Sequence, residues 1–106
     1  MTNTFEFSGH IPANHPALPG HFPGYPITPG VVLLNQVATA CARWQTHARI
    51  TGWPQVKFVS PLLPEEAFVI RLTRTAPDTA RFTLHVGARL VARGQFTFVL
   101  SGVLDA

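Results

Sequence analysis

The most constraining feature of this 106-residue sequence is the stretch from His15 to Asn35. It begins with a segment rich in proline and glycine and ends with apolar residues that predict a helix. Proline and glycine recur at close intervals between residues 16 and 30, and such a segment can form neither a regular helix nor a central strand. The same segment carries His21, Phe22 and Tyr25, so it is not a solvated linker. We therefore predict a rigid, partly buried loop ahead of a helix, which is more suggestive of a functional site than of an ordinary connector.

The junction between this loop and the helix predicts a binding site for an electronegative group. Thr28 can act as the N-cap, and Pro29 then takes the first helical position, where its missing N–H costs nothing. Gly30 lets another group approach the backbone closely. Amide N–H groups in the first turn lie at the positive end of the helix dipole. They can hold a carboxylate, a phosphate, or a carbonyl oxygen that becomes negative during a reaction.

The segment GHFPGYPITPG, residues 20–30, resembles the active-site motif of the beta-hydroxyacyl-(acyl carrier protein) dehydratases, which have the hotdog fold. It matches the family pattern G-H-F-P-G-x-P-x-x-P-G at every fixed position, and a match of this length is specific. The resemblance implies that His21 is the catalytic histidine and that the amides of Gly30 and Val31 hold the thioester carbonyl. It also implies substrate-binding roles for four further motif residues: Phe22, Pro23, Gly24 and Pro29.

The sequence departs from the family at one position. Fourteen residues after His21 the family has a glutamate or an aspartate, and this chain has Asn35. Asparagine cannot ionise, so it cannot act as a general acid or base. The fold and ligand binding are compatible with this change, whereas the dehydration step is put in doubt. We assign Asn35 to the catalytic site, where it could still orient a hydroxyl group or a water molecule.

The reaction implied by the resemblance is removal of water from a 3-hydroxyacyl thioester to give the trans-2-enoyl thioester. The substrate is carried on the phosphopantetheine arm of acyl carrier protein or coenzyme A, and no further cofactor is expected. The histidine takes the proton alpha to the carbonyl, and the acidic residue comes from the other subunit. The expected partners are therefore the carrier and a second copy of the chain, in a homodimer or an oligomer of dimers, or a related dehydratase in a heterodimer.

Two alternatives stay open beside a dehydratase of fatty acid, polyketide or aryl-polyene-type biosynthesis. The first is a hotdog thioesterase in which Asn35 positions a water molecule, and Thr39 is then the available hydroxyl on the helix. The second is a catalytically silent subunit that pairs with an active homologue.

The composition indicates how many domains the chain forms and whether it associates with itself. Hydrophobic residues make up 46% of the chain and charged residues only 12%, which favours one domain over residues 1–106 that associates with itself. No apolar run approaches a membrane span, and the N-terminus does not resemble a signal peptide. Cys41 is the single cysteine and is predicted to serve packing in a cytoplasmic protein.

The net charge of +3 is compatible with two classes of partner, nucleic acid and an acidic carrier protein, and charge alone does not decide between them. The basic residues are scattered and no nucleic-acid-binding motif accompanies them, whereas the family resemblance favours the carrier. Arg71, Arg81 and Arg93 are predicted to form a solvated sheet face. The histidines at positions 10, 15 and 21 fit no common zinc pattern, so no metal site is expected.

Apolar periodicity predicts the elements independently of the motif. A short strand over 3–8 precedes the loop, and an apolar, buried helix runs from Val31 to about Arg49, with Gly52 closing it. Strands with period-2 alternation follow, one from Val56 to Ser60 and others over 68–73, 81–86 and 95–100. This order predicts an α+β hotdog fold, in which a curved antiparallel sheet wraps around one long central helix.

Overall fold

A computed structural model of the protein describes residues 3–15 and 27–100. This part of the chain contains one α-helix and five β-strands, and the helix lies between the first and second strands. In chain order the elements are β1 (Thr4–Gly9), α1 (Gly30–Trp44), β2 (Ala48–Phe58), β3 (Phe68–Ala76), β4 (Thr79–Val86) and β5 (Arg89–Leu100).

The five strands form one antiparallel sheet in the order β1-β3-β4-β5-β2. The strands β3, β4 and β5 follow one another as a meander, and a turn at Pro77-Asp78 joins the first two, as predicted. The helix packs against one face of this sheet, where it contacts β1, β2 and β3. One helix against an antiparallel sheet is the predicted hotdog arrangement.

The core lies between α1 and the inner face of the sheet. The helix buries one stripe at helical spacing, and the strands bury alternate residues. The buried helix residues are Val32, Leu33, Val37, Ala40 and Cys41; the large buried strand residues include Phe68, Ile70, Leu72, Phe82, Leu84, Phe96 and Phe98. Cys41 is part of this buried stripe, and burial raises the pKa of its thiol to about 11.

The prediction that the helix reaches Arg49 was wrong. It ends at Trp44, and the amide N–H of Gln45 donates to the carbonyl oxygen of Cys41 at 2.9 Å. His47 then adopts a positive φ of 68°, and β2 begins at Ala48. Pairing with β5 outweighs the local helical pattern. The main-chain N–H and C=O groups of this segment form their hydrogen bonds with β5 and not within a longer helix.

Gly52 accordingly lies inside β2 and does not close the helix, and Val56 and Phe58 end this strand instead of beginning one. The register between β2 and β5 shifts on either side of Gly52. Opposite this irregularity, a Cβ on Gly94 would lie 2.2 Å from the carbonyl oxygen of Gln55. The close approach of the two strands therefore requires glycine at position 94.

The other face of α1 is exposed, although the sequence predicted a helix buried nearly all round. Val31 is 64% exposed, and Asn35 lies one turn further along the same face. Phe58 and Val59, where β2 ends at the sheet edge, are also exposed apolar residues. In the described part of the chain no helix has the length and apolar character that a membrane span needs.

Gly94→Ala should destabilise the protein by about 1–3 kcal/mol, since the added methyl group overpacks the contact between β2 and β5. Urea unfolding followed by circular dichroism measures the effect. Gly87→Asn is the matched control: Gly87 has a φ of 56° and open space around it, which asparagine tolerates. An unchanged midpoint for Gly94→Ala would contradict the close approach.

Candidate functional site

A cleft of about 410 Å³ opens at the N-terminal end of α1. Its walls come from two segments that are distant in sequence, the start of the helix and the loop that follows β2. In the described part of the chain the lining residues are Ile27, Thr28, Pro29, Gly30, Leu33, Phe58, Val59, Ser60, Pro61 and Leu62. This described lining is largely apolar, and none of its residues has an ionisable side chain.

The helix begins differently from the prediction. Pro29, not Thr28, is the N-cap, with φ −61° and ψ 148°, and no side chain caps the helix. The Pro29 carbonyl oxygen accepts from the amides of Val32 at 3.0 Å and Leu33 at 3.4 Å. Thr28 lies one residue before the cap, and its amide N–H donates to the Leu62 carbonyl oxygen at 2.9 Å, which holds it against the loop.

Two main-chain amides lie in the first turn of the helix, where the N–H groups have no partner within the helix. The N–H groups of Gly30 and Val31 have no acceptor among the described residues, as expected for the first turn of a helix. No acidic side chain lies in this turn, so the positive end of the helix dipole is not neutralised from within the turn. This geometry suits a carbonyl oxygen or an anion.

Gly30 lies directly beneath an aromatic ring. A Cβ at this position would come within 2.8 Å of the Phe58 ring, so only glycine allows the present contact. Phe58 is 50% exposed and forms the opposite wall of the cleft. The sequence motif identified Gly30, whereas the facing Phe58 was not predicted because it is 28 residues away along the chain.

The loop after β2 is held in shape by a group of hydrogen bonds. Glu66 accepts from the amide of Leu63 at 2.9 Å and from Arg89 Nη2 at 2.8 Å. The hydrogen bond from Arg89, followed by that from Leu63, lowers the pKa of the Glu66 carboxyl. Arg89 Nη2 also donates to the carbonyl oxygen of Pro61 at 3.3 Å. These bonds position the loop wall of the cleft.

The same loop also anchors the chain that enters the motif. Glu65 adopts a positive φ of 69°, which is unfavourable for a residue with a side chain. Its carboxylate accepts from the Ala13 amide at 2.9 Å, and its own amide donates to the Ile11 carbonyl oxygen at 2.7 Å. Two hydrogen bonds therefore offset the cost of this conformation and tie residues 11–13 to the loop.

The remaining predicted site residues fall into two groups. Asn35 and the side chain of Val31 lie on the exposed face of α1 and are not part of the cleft lining. Thr39, also on the exposed side, donates from Oγ1 to the Asn35 carbonyl oxygen at 3.1 Å. The other motif residues, His21, Phe22, Pro23 and Gly24, lie outside the described residues.

The outer face of the sheet carries the arginines assigned to a solvated surface. Arg71, Arg81 and Arg93 are all exposed, and Arg71 Nε donates to Glu6 at 2.9 Å. Among the described residues there is no group of three or more side chains suited to binding a metal ion.

Comparison with known proteins agrees with the motif. The family model described as ApeI-like, ApeI dehydratase, matches residues 1–95. The chain is 30% identical over 105 residues to the 3-hydroxyacyl-(acyl-carrier-protein) dehydratase FabZ of Chlamydia trachomatis, covering 86% of this chain and 69% of that enzyme. It is 34% identical over 103 residues to FabZ of Natranaerobius thermophilus, covering 86% and 72%.

Solved structures confirm the fold. The dehydratase heterocomplex ApeI:P from Xenorhabdus doucetiae superimposes with a TM-score of 0.80 at 17% identity, covering 92% of this chain and 88% of that one. The fluoroacetyl-CoA thioesterase FlK superimposes with a TM-score of 0.68 at 15% identity, covering 94% and 87%. At these identities the likeness establishes the hotdog fold alone. Because the family model spans residues 1–95 and the FabZ enzymes match most of the sequence, the chain belongs to the ApeI-like family of hotdog dehydratases, relatives of FabZ.

Proposed function

We propose that the protein acts on 3-hydroxyacyl thioesters carried by acyl carrier protein or coenzyme A, in fatty acid or polyketide and aryl-polyene-type biosynthesis. The reaction removes water to give the trans-2-enoyl thioester and needs no cofactor beyond the carrier's phosphopantetheine arm. The observation that carries the proposal is the apolar cleft at the start of α1, where the Gly30 amide lies beside an apolar wall. An acyl thioester matches this cleft, because its apolar acyl chain suits the apolar wall and its carbonyl oxygen can accept a hydrogen bond from the amide.

In this proposal the start of the helix binds the thioester carbonyl oxygen. The amides of Gly30 and Val31 donate to it, and Pro29 fixes the chain direction before the first turn. When the proton alpha to the carbonyl is removed, negative charge develops on this oxygen, and main-chain donors in an apolar cleft stabilise it. His21 removes the proton, because an imidazole with a pKa near neutrality can accept and return one around pH 7. Phe22, Pro23 and Gly24 complete the substrate-binding motif.

Asn35 acts from the neighbouring subunit in this proposal. Its position on the exposed helix face, outside the cleft of its own chain, supports a role across a subunit boundary. There it orients the leaving hydroxyl without supplying a proton, since an amide does not ionise. A homodimer in which the two sheets join edge to edge provides this arrangement.

A second candidate is a catalytically silent subunit that pairs with an active, related dehydratase. The substitution of the ionisable residue by Asn35 favours it, and one structural neighbour is itself a dehydratase heterocomplex. The thioesterase alternative has less support, because the FlK likeness concerns the fold and the Thr39 hydroxyl is already bonded to the helix backbone.

We expect the purified chain to form a dimer, and Val31→Glu to weaken it. Val31 is 64% exposed on the helix face that also presents Asn35. Burying an unpaired carboxylate there should raise the dimer dissociation constant at least about tenfold. Sedimentation velocity measures this, with Val99→Glu at the far end of β5 as the control. A stable wild-type monomer at micromolar concentration would contradict the homodimer.

Gly30→Val should abolish thioester binding and leave the fold intact. The added side chain collides with the Phe58 ring, which is half exposed and can move aside into the cleft. Calorimetric titration with an acyl-coenzyme A measures binding, and circular dichroism checks the fold. Ala42→Val adds similar bulk on the exposed side of the same helix and should bind normally. Undiminished binding by Gly30→Val would exclude the helix start as the carbonyl site.

Asn35→Asp should raise the dehydration rate at least about tenfold, because a general acid typically contributes about 10²–10⁴-fold. Asn35→Glu restores the longer side chain of the family, and His21→Ala should abolish activity in either background. Mass spectrometry of 3-hydroxyacyl thioesters, following loss of water or release of free acid, measures the reaction. Gln36→Glu is the control, since it adds a carboxylate one residue away on a different side of the helix.

One outcome would favour the second candidate. Suppose that Asn35→Asp and Asn35→Glu both fold and bind thioester but remain inactive. The lack of an ionisable group at position 35 then does not explain why the wild type is slow or inactive in dehydration. The chain is then better described as the silent subunit of a heterodimer.

A further inference from the structure

A second hollow, of about 400 Å³, lies on the sheet, away from the cleft at the helix start. This volume is within the range of about 300–1,000 Å³ that is typical of small-molecule sites. On β4 and β5 the polar lining residues alternate with buried Phe82 and Gly94, so their side chains project from the sheet face opposite the core. The polar side chains of the described lining are Gln55, Arg81, Thr83, Arg93 and Gln95.

The two arginines of this hollow lie close together on neighbouring strands. In the register between β4 and β5, Thr83 lies opposite Arg93, and Arg81 lies opposite Gln95. Arg81 and Arg93 are therefore diagonal neighbours on one face of the sheet. Residues in this relation are about 7–8 Å apart, which long side chains can span. One small anion can accordingly contact both guanidinium groups.

Neither guanidinium group has a counter-charge in the described part of the chain. Arg71 on the same face donates to Glu6, whereas Arg81 and Arg93 make no hydrogen bond or ion pair with a described residue. Glu6 is also the one acidic residue in the five described strands. Two like charges therefore lie near each other without an anion between them, which is unfavourable until one binds.

We propose that this hollow is a binding site for the phosphate group of a small polar molecule, held by Arg81 and Arg93. A guanidinium group remains charged at physiological pH, and its planar set of N–H donors matches two oxygens of a phosphate at once. The inference goes beyond the proposed function and does not depend on it, because the hollow and the cleft have no lining residue in common among those described.

The other polar side chains favour a phosphate ester over a carboxylate or a free phosphate ion. A phosphate monoester offers three terminal oxygens to the surrounding donors, and a carboxylate offers two. The carboxamides of Gln55 and Gln95 and the hydroxyl of Thr83 can both donate and accept hydrogen bonds. They suit the hydroxyl groups of a sugar or another polyol, and the hollow is larger than a phosphate ion alone requires.

The experiment titrates the full chain by calorimetry at physiological ionic strength with four probes: ribose 5-phosphate, inorganic phosphate, acetate and ribose. We expect the wild type to bind ribose 5-phosphate most tightly and inorganic phosphate more weakly, with no measurable binding of acetate or ribose. Arg81→Gln and Arg93→Gln should each weaken ribose 5-phosphate binding at least about tenfold, the effect of losing charge-assisted hydrogen bonds.

Arg71→Gln is the matched control. It removes an exposed arginine from the same face, but this arginine is bound to Glu6 and is not part of the described lining of the hollow. Its affinity for ribose 5-phosphate should equal that of the wild type. The unfolding midpoint gives a second readout, since a ligand that binds the folded state raises it. Ribose 5-phosphate should raise the midpoint of the wild type and of Arg71→Gln, and not that of Arg81→Gln or Arg93→Gln.

Four results would overturn the assignment. A wild type that does not bind ribose 5-phosphate has no such site. An equal loss for Arg71→Gln and Arg81→Gln would show a diffuse attraction of anions to the basic face. Binding of acetate as tight as that of ribose 5-phosphate would exclude a phosphate site. Binding of inorganic phosphate as tight as that of the ester would identify the free ion as the ligand, and the small polar molecule would be wrong.

Discussion

The packing of α1 against the inner face of the sheet is the contact on which the rest of the structure depends. One stripe of the helix, including Val37, Ala40 and Cys41, is buried against the strands. The opposite stripe, including Val31 and Asn35, remains exposed. With charged residues at only 12% of the sequence, the chain has few groups with which to solvate such a surface. The same helix therefore completes the core with one face and leaves apolar surface, including Val31, exposed on the other.

Helix packing also determines where the cleft lies. The helix start is held to the loop after β2 by the bond between the Thr28 amide and the Leu62 carbonyl oxygen. The resulting cleft brings amides that have no acceptor among the described residues into apolar surroundings, where electrostatic interactions are stronger than in water. These donors belong to the main chain, so a substitution such as Asn35 does not remove them. Proton transfer depends on side chains instead. A substitution that removes an ionisable side chain can therefore alter catalysis without altering the main-chain donors of the cleft.

The amino-acid sequence by itself determined the features that depend on local order. Alternating apolar residues predicted β3, β4 and the C-terminal half of β5, and Pro77-Asp78 predicted the turn between the first two. The motif from Gly20 to Gly30 predicted the family and the helix start, to within one residue. These features are readable because the period of a strand, the φ restriction of proline and the spacing of a motif are properties of neighbouring residues.

Only the tertiary structure decided the features that join distant residues. The helix ends at Trp44 because the following segment pairs with β5 as β2, which outweighs its local helical pattern. Phe58 faces Gly30 across the cleft, and Thr28 is held by the loop instead of capping the helix. Burial likewise left the Thr28 hydroxyl without a hydrogen-bond partner in the part of the chain that the structure describes. Each of these outcomes depends on contacts between segments that are far apart in sequence. These contacts stabilise the fold by more than the helix or strand preference of the local sequence, and that preference is all that a sequence pattern reports.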